Sequence, residues 1–145
     1  MVNLVKIAVG ITSVEELSLR QKEFIQKNDE KNLQHFYHTT KMMPKKHEDI
    51  ILNGSLYWVI KGVICARQKV LEIVKIEDID GKKKCRIYLA ANILKTRPVR
   101  KRPFQGWRYL KRHNTPEDLT EPLKANFESD IPIHVQKQLL ELGVV

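Results

Sequence analysis

The segment 95–112 concentrates side chains that bind anions. It contains eight Lys and Arg residues and no carboxylate, and Phe104, Trp107 and Tyr109 are interleaved with them. Guanidinium groups form paired hydrogen bonds with phosphate, and aromatic rings stack on unpaired bases. The pattern therefore predicts a nucleic-acid-binding segment. The candidate contacts, which include two basic residues from earlier strands, are Lys61, Arg67, Arg97, Arg100, Lys101, Arg102, Trp107, Arg108, Lys111 and Arg112.

The charge of this segment accounts for most of the excess in the chain. The formal net charge is +9, from 26 basic and 17 acidic side chains. A concentrated positive field attracts polyanions, and an arginine–aromatic loop favours RNA of the tRNA or rRNA class over duplex DNA. Residues 113–145 are acidic, with six carboxylates against two lysines. They could screen the basic segment in the same chain or in a neighbour.

A second set of residues could support catalysis. His38, Thr39, Thr40 and Lys41 stand together just before a predicted short helix. A histidine can act as a general base, and a threonine hydroxyl can be activated or can bind a phosphate. These four residues are the catalytic candidates for an alternative function, a small hydrolase of a modified nucleoside or nucleotide. The same residues also suit an ordinary strand end.

Neither a metal nor a cofactor is expected. His47, Cys65 and Cys85 lack the spacing of a zinc site, and no recognised nucleotide-binding or hydrolase motif occurs. Two cysteines cannot build a disulfide scaffold, so both are expected to be small buried groups in a cytoplasmic protein. No apolar run reaches the roughly 20 residues of a membrane span, and no membrane partner is expected. A third function stays open, a module that binds an acidic protein.

Local patterns predict the elements that must position these residues. Ser13 and Glu16 form a capping box, Gly54 ends a helix, and Gly62 marks a bulge or a barrel corner. Residues 95–104 are predicted to be an extended basic loop, because two prolines interrupt them. The predicted strands are 3–9, 34–40, 55–61, 63–79, 84–90 and 105–110, and the predicted helices are 14–27, 44–52 and 132–142.

This order of elements predicts the fold class. The strands cluster in the middle of one 145-residue domain and the helices lie towards its ends. We therefore expect an α+β fold, with a mixed, mostly antiparallel sheet curled into a pseudo-barrel with flanking helices. In the last strand, Trp107 and Arg108 should face opposite sides of the sheet. At least one of Trp107 and Tyr109 should then belong to the core.

Four runs of the sequence are distinctive in combination. They are residues 38–45 (HTTKMMPK), 54–62 (GSLYWVIKG), 66–68 (ARQ) and 104–110 (FQGWRYL). With these runs the chain resembles, over its whole length, a family of uncharacterised bacterial proteins known mainly from alphaproteobacteria. That resemblance implies no activity.

A second resemblance concerns the middle of the chain. A short helix, Asn53-Gly54 and a bent strand ending at 70–73 are similar to PUA-like domains of the ASCH branch. The resemblance implies a pseudo-barrel that binds RNA or acts on modified nucleosides. Where the ASCH signature has Lys, Glu and Arg, this chain has Leu56, Val59 and Lys61, so only the basic end of the signature is kept.

Overall fold

A computed structural model describes residues 2–27 and 34–119, which form seven strands and two α-helices. The predicted helix over 132–142 lies outside the described residues. In chain order, the elements are β1 (Asn3–Ile7), α1 (Val14–Lys27), β2 (Tyr37–Thr40), α2 (His47–Asn53), β3 (Ser55–Ile60), β4 (Val63–Glu77), β5 (Lys83–Leu89), β6 (Leu94–Arg100) and β7 (Trp107–Leu110). Neither helix is long and apolar enough to cross a membrane.

The strands form one mixed sheet in the order β2-β5-β4-β3-β1-β7. Only β1 and β3 are parallel; the other pairs are antiparallel. The long strand β4 pairs with β3 and β6 through its first half and with β5 through its second half. The α+β class and the mostly antiparallel sheet are thus confirmed. The described strands do not close into a barrel.

The two end strands of this sheet nevertheless approach each other. The carbonyl of Met42, two residues after β2, accepts a hydrogen bond of 2.8 Å from Nε1 of Trp107 in β7. The same carbonyl accepts a 3.4 Å contact from Sγ of Cys85 in β5. Residues 41–46, which we call the crossing segment, therefore link the ends of a curled sheet without backbone pairing.

Apolar side chains pack on both faces of the sheet. Along β1, Leu4 joins the larger cluster and Val5 joins the smaller one, as strand alternation requires. The larger cluster fills the inner face of the curl, where α1 and α2 cover it. The smaller cluster, on the outer face, consists of Val5, Tyr57, Val59, Ile64 and Leu110, with Ile7 and Phe104 packed against it.

Local chemistry sets the helix ends. The predicted capping box is present, since the amide of Glu16 donates to Oγ of Ser13 over 3.0 Å. The carboxylate of Glu16 in turn accepts from the amide of Thr12 over 2.8 Å. Helix α2 begins at His47, three residues later than predicted, and its last turn meets Gly54. A Cβ at Gly54 would collide with the carbonyl oxygen of Val2, the residue just before β1.

Two predictions for the basic half of the chain need correction. The predicted loop over 95–104 is largely strand, because β6 pairs with β4. Pro98 fits there since it lies in an irregular stretch of that pairing, where a missing amide proton costs little. Gly62 is neither a bulge nor a corner. Lys61 and Gly62, with φ of 52° and 77°, form the two-residue turn between β3 and β4.

Candidate nucleic-acid interface

Strand β7 lies at an edge of the sheet and carries aromatic and basic side chains alternately. It pairs with β1, and no other described strand pairs with its second edge. Trp107 packs against the inner cluster, whereas Leu110 belongs to the outer one. Arg108 shares the outer face with Leu110. The prediction that Trp107 and Arg108 face opposite sides is therefore confirmed.

The two aromatic residues of β7 differ in what they can bind. Trp107 is half-buried, and its indole N–H is already bonded to the Met42 carbonyl. Tyr109 packs edge-on against it, with ring centroids 4.9 Å apart, yet stays 40% exposed. The ammonium of Lys46, in the crossing segment, lies 5.7 Å from the Tyr109 ring. Trp107 is thus structural, whereas Tyr109, on the same inner side of the sheet, is the more exposed of the two rings.

Phe104 gathers basic side chains on the outer face. Its ring packs on the outer cluster, and the charged groups of Lys101 and Arg108 lie 5.9 Å and 5.6 Å from its centre. Such cation–π contacts hold a cation in place without neutralising it. The amide of Lys101 also donates to the Gly62 carbonyl over 2.9 Å. This bond holds the start of the connection between β6 and β7 beside the turn that carries Lys61.

Other predicted contacts are already paired with carboxylates. Arg67 forms two hydrogen bonds with Asp118, of 2.7 Å and 2.6 Å, and a third with Oγ of Ser55. Arg97 lies 3.6 Å from the carboxylate of Glu117. Glu117 therefore screens Arg97 of the segment 95–112, and Asp118 neutralises Arg67 of β4. Arg67 also lines a polar pocket of about 340 Å³, together with Asp118.

The remaining predicted basic contacts form no ion pair with any carboxylate in residues 2–27 or 34–119. All but Lys101 are exposed. They run from the β3–β4 turn, past Phe104, along β7 to the turn that follows it. We call this surface the basic edge; it consists of Lys61, Arg100, Lys101, Arg102, Arg108, Lys111 and Arg112.

The four catalytic candidates do not converge. His38 and Thr40 face the inner side of the sheet, because their partners across the strands, Ile87 and Cys85, belong to the inner core. Thr39 faces the opposite side and is exposed, and Lys41 is exposed in the crossing segment. The structure therefore brings His38 and Thr40 to one face and separates them from Thr39 and Lys41.

Lys6 joins His38 instead, and the sequence reasoning missed it. Burial first, and then the positive charge of Lys6, lower the pKa of His38 to about 4. Burial also lowers the pKa of Lys6. The available signal was a lysine on the same strand face as Leu4 and Ala8, which both lie in the core.

A buried polar network holds Trp58, the indole next to His38. Gln68, which is fully buried, accepts from Nε1 of Trp58 over 2.8 Å and exchanges two hydrogen bonds with Gln21 of α1. Its amide nitrogen also donates to the carbonyl of Ala90. Because every partner is satisfied, the network fixes α1 and Trp58 to the sheet.

No group of three His, Cys, Asp or Glu side chains in the described part of the chain could hold a metal ion. Cys65 and Cys85 are both buried and unpaired, and burial raises the pKa of Cys65 to about 11. Neither thiol is therefore set up as a metal ligand or a nucleophile at neutral pH.

Fold and site together define an α+β protein with a basic edge on an open, curled sheet. The chain belongs to the family whose model is described as "Protein of unknown function (DUF1489)", which matches residues 4–145. The resemblance to a family of uncharacterised proteins is thus confirmed, whereas nothing in the comparisons supports the PUA-like resemblance. Searches of curated proteins and of solved structures find no match.

Proposed function

We propose that this protein binds RNA along the basic edge. One observation carries the proposal: seven basic side chains of one continuous surface have no carboxylate partner among the described residues, although acidic side chains neutralise Arg67 and Arg97 nearby. Folding distributes these basic groups along one edge and leaves them without carboxylate partners. Such an extended row of charges suits a polyanion better than a single small ligand.

Single-stranded or looped RNA fits this surface better than duplex DNA. The ring of Tyr109 is 40% exposed and belongs to the strand that also carries Arg108, although it faces the opposite side of the sheet. Stacking needs an unpaired base, which RNA loops and ends present and a regular duplex does not. The four arginines of the basic edge add paired hydrogen bonds to phosphate.

Bulk tRNA binding across a salt series tests this function. The variant carries Arg100→Ala, Lys101→Ala and Arg102→Ala, three neighbours on the basic edge. A matched control removes the same charge from the far hairpin of β4 and β5, with alanine at Lys75, Lys82 and Lys83, all exposed.

We expect the affinity of the wild type and of the control to fall with salt at similar slopes. In the basic-edge variant, the slope of log K against log salt should flatten by about 2, because each lost phosphate contact removes roughly 0.7. An equal loss of RNA affinity in both triple variants would indicate only an effect of net charge. No retention of RNA at low salt, with capture of an acidic protein instead, would contradict the proposal.

The alternative of a small hydrolase has less support. It relied on His38, Thr39, Thr40 and Lys41 acting together, and these side chains do not face one surface. General acid–base work requires groups within hydrogen-bonding reach of a common substrate.

A further inference from the structure

We infer that Lys6 and His38 form a binding site for a small anion of the phosphate class, on the inner face of the sheet where the crossing segment links its two ends. This site is separate from the basic edge, and the inference does not depend on RNA binding.

The fold places Lys6 between two indoles. In β1, Lys6 pairs with Trp58 of β3 on one side and with Trp107 of β7 on the other. Residues paired across strands share a face, so all three side chains lie on the inner side of the sheet. His38 meets this row from β2, with its ring 6.4 Å from that of Trp58 and nearly perpendicular to it.

Hydrogen bonds fix both walls of this site. The indole N–H of Trp58 is held by Gln68, and that of Trp107 by the carbonyl of Met42, each over 2.8 Å. Both indole rings are therefore held in position beside Lys6. A rigid surround lowers the ordering cost of binding a ligand.

The charge of Lys6 has no partner among the residues that the structure describes. Within residues 2–27 and 34–119, no carboxylate and no hydrogen-bond acceptor contacts its ammonium, which is half-buried. A desolvated cation without a counter-charge is unfavourable, and an anionic ligand would supply that charge.

The surroundings favour a phosphate over a weaker or cationic ligand. Residues 38–46, the stretch that begins with His38 and includes the crossing segment, contain three lysines and no carboxylate, so the chain next to His38 is positively charged. His38 is neutral at physiological pH and therefore presents one donor and one acceptor. The hydroxyl of Thr40 lies on the same inner face. A phosphate group can accept several such donors at once, whereas a halide cannot orient them.

The fluorescence of the protein reports on this site directly. The chain has only two tryptophans, and both are the neighbours of Lys6. We would titrate wild-type protein with inorganic phosphate and with ribose 5-phosphate, against chloride at matched ionic strength. The test variant is Lys6→Met, which keeps the aliphatic stem, and the control is Lys75→Met at an exposed position of the far hairpin.

The expected result is a saturable fluorescence change in the wild type and in the Lys75→Met control. In Lys6→Met the affinity should fall about tenfold or more, the worth of a hydrogen bond to a charged group. A response no larger than that of chloride, or an equal response in Lys6→Met, would overturn the inference. A circular dichroism spectrum checks that each variant is folded.

If Lys6→Met does not fold, an NMR titration of the wild-type protein tests the inference instead. The Cε resonance of Lys6 should then titrate at higher pH with phosphate than with chloride, since a bound anion favours the ammonium. An unchanged titration midpoint would overturn the inference.

A further comparison identifies the source of the phosphate. A short RNA with a 5′-phosphate is compared with the same RNA ending in a 5′-hydroxyl. A larger change with the phosphorylated RNA than with ribose 5-phosphate indicates an RNA end, and the reverse order indicates a free phosphate ester. Either order supports the site, and no response to any of the three phosphates contradicts it.

Discussion

At the residue scale, His38 illustrates how packing changes the chemistry of a side chain. The imidazole is packed against Trp58 and lies near the ammonium of Lys6, and these surroundings disfavour its protonated form. The pKa is about 4 in the folded protein, whereas an unperturbed histidine titrates near 6.5. Between these two values the unfolded chain binds more protons than the folded one. His38 therefore makes the folded protein less stable as the pH falls.

This difference predicts a pH dependence of stability. Between pH 6.5 and pH 4, His38 should remove about 3 kcal/mol from the free energy of unfolding. In the variant His38→Gln this decline in unfolding free energy should be much smaller, because glutamine does not bind a proton in this pH range. Urea unfolding at several pH values measures it, with the exposed His113→Gln as the control. A decline of the same size in His38→Gln would show that other groups cause it.

Gln68 gives a second prediction at this scale. Its side chain serves Trp58 and Gln21 inside the core, so Gln68→Leu leaves two buried polar groups without partners. We expect a loss of about 2–5 kcal/mol in unfolding free energy, from the desolvation of those groups. The exposed Gln26→Leu should cost little, and Gln21→Leu combined with Gln68→Leu should recover part of the loss. Urea denaturation would contradict this if Gln68→Leu matched the wild type.

At the element scale, the close approach of α2 to β1 requires a residue without a side chain. Gly54 follows α2, and a Cβ there would overlap backbone atoms of Val2 and Ile50. Its φ is negative, so the requirement is one of space and not of conformation. The sequence indicated a glycine at a helix end. The need for glycine there comes instead from close contact with Val2, about 50 residues earlier in the chain.

Gly54→Ala should therefore destabilise the protein by about 2 kcal/mol, which is typical of forced overpacking. The neighbouring Asn53→Ala, at an exposed position, should stay within about 0.5 kcal/mol of the wild type. Thermal unfolding of the two variants compares them. Equal melting temperatures would mean that the backbone yields at no cost.

The same scale shows what the sequence could predict. Helix α1 was predicted over 14–27 and has those bounds, because its capping box is a local signal. Strands β4 and β5 were also predicted, because the turn that joins them has a local signal as well. Strand β6 was missed, since Pro98 resembles a loop residue until its irregular pairing with β4 is known. Lys6 was missed because its neighbours, Trp58 and Trp107, come from distant parts of the chain.

At the scale of the whole molecule, folding sorts the basic side chains by their partners. Arg67 and Arg97 lie against Asp118 and Glu117, and Lys95 lies 2.8 Å from Glu15. The sequence shows these charges but not which of them meet, so it could not separate paired from unpaired groups. The basic edge consists of the predicted basic contacts that have no carboxylate partner among the described residues. It follows β7, the strand at one end of the sheet order.

Crosslinking to RNA tests most directly the central claim that the basic edge binds RNA. Protein bound to a short RNA containing 4-thiouridine is irradiated, and the crosslinked peptides are identified by mass spectrometry. We predict adducts within residues 100–112, with Tyr109 as the main site because its exposed ring can stack on a base. Adducts confined to the far hairpin, or spread evenly over all exposed lysines, would contradict the claim.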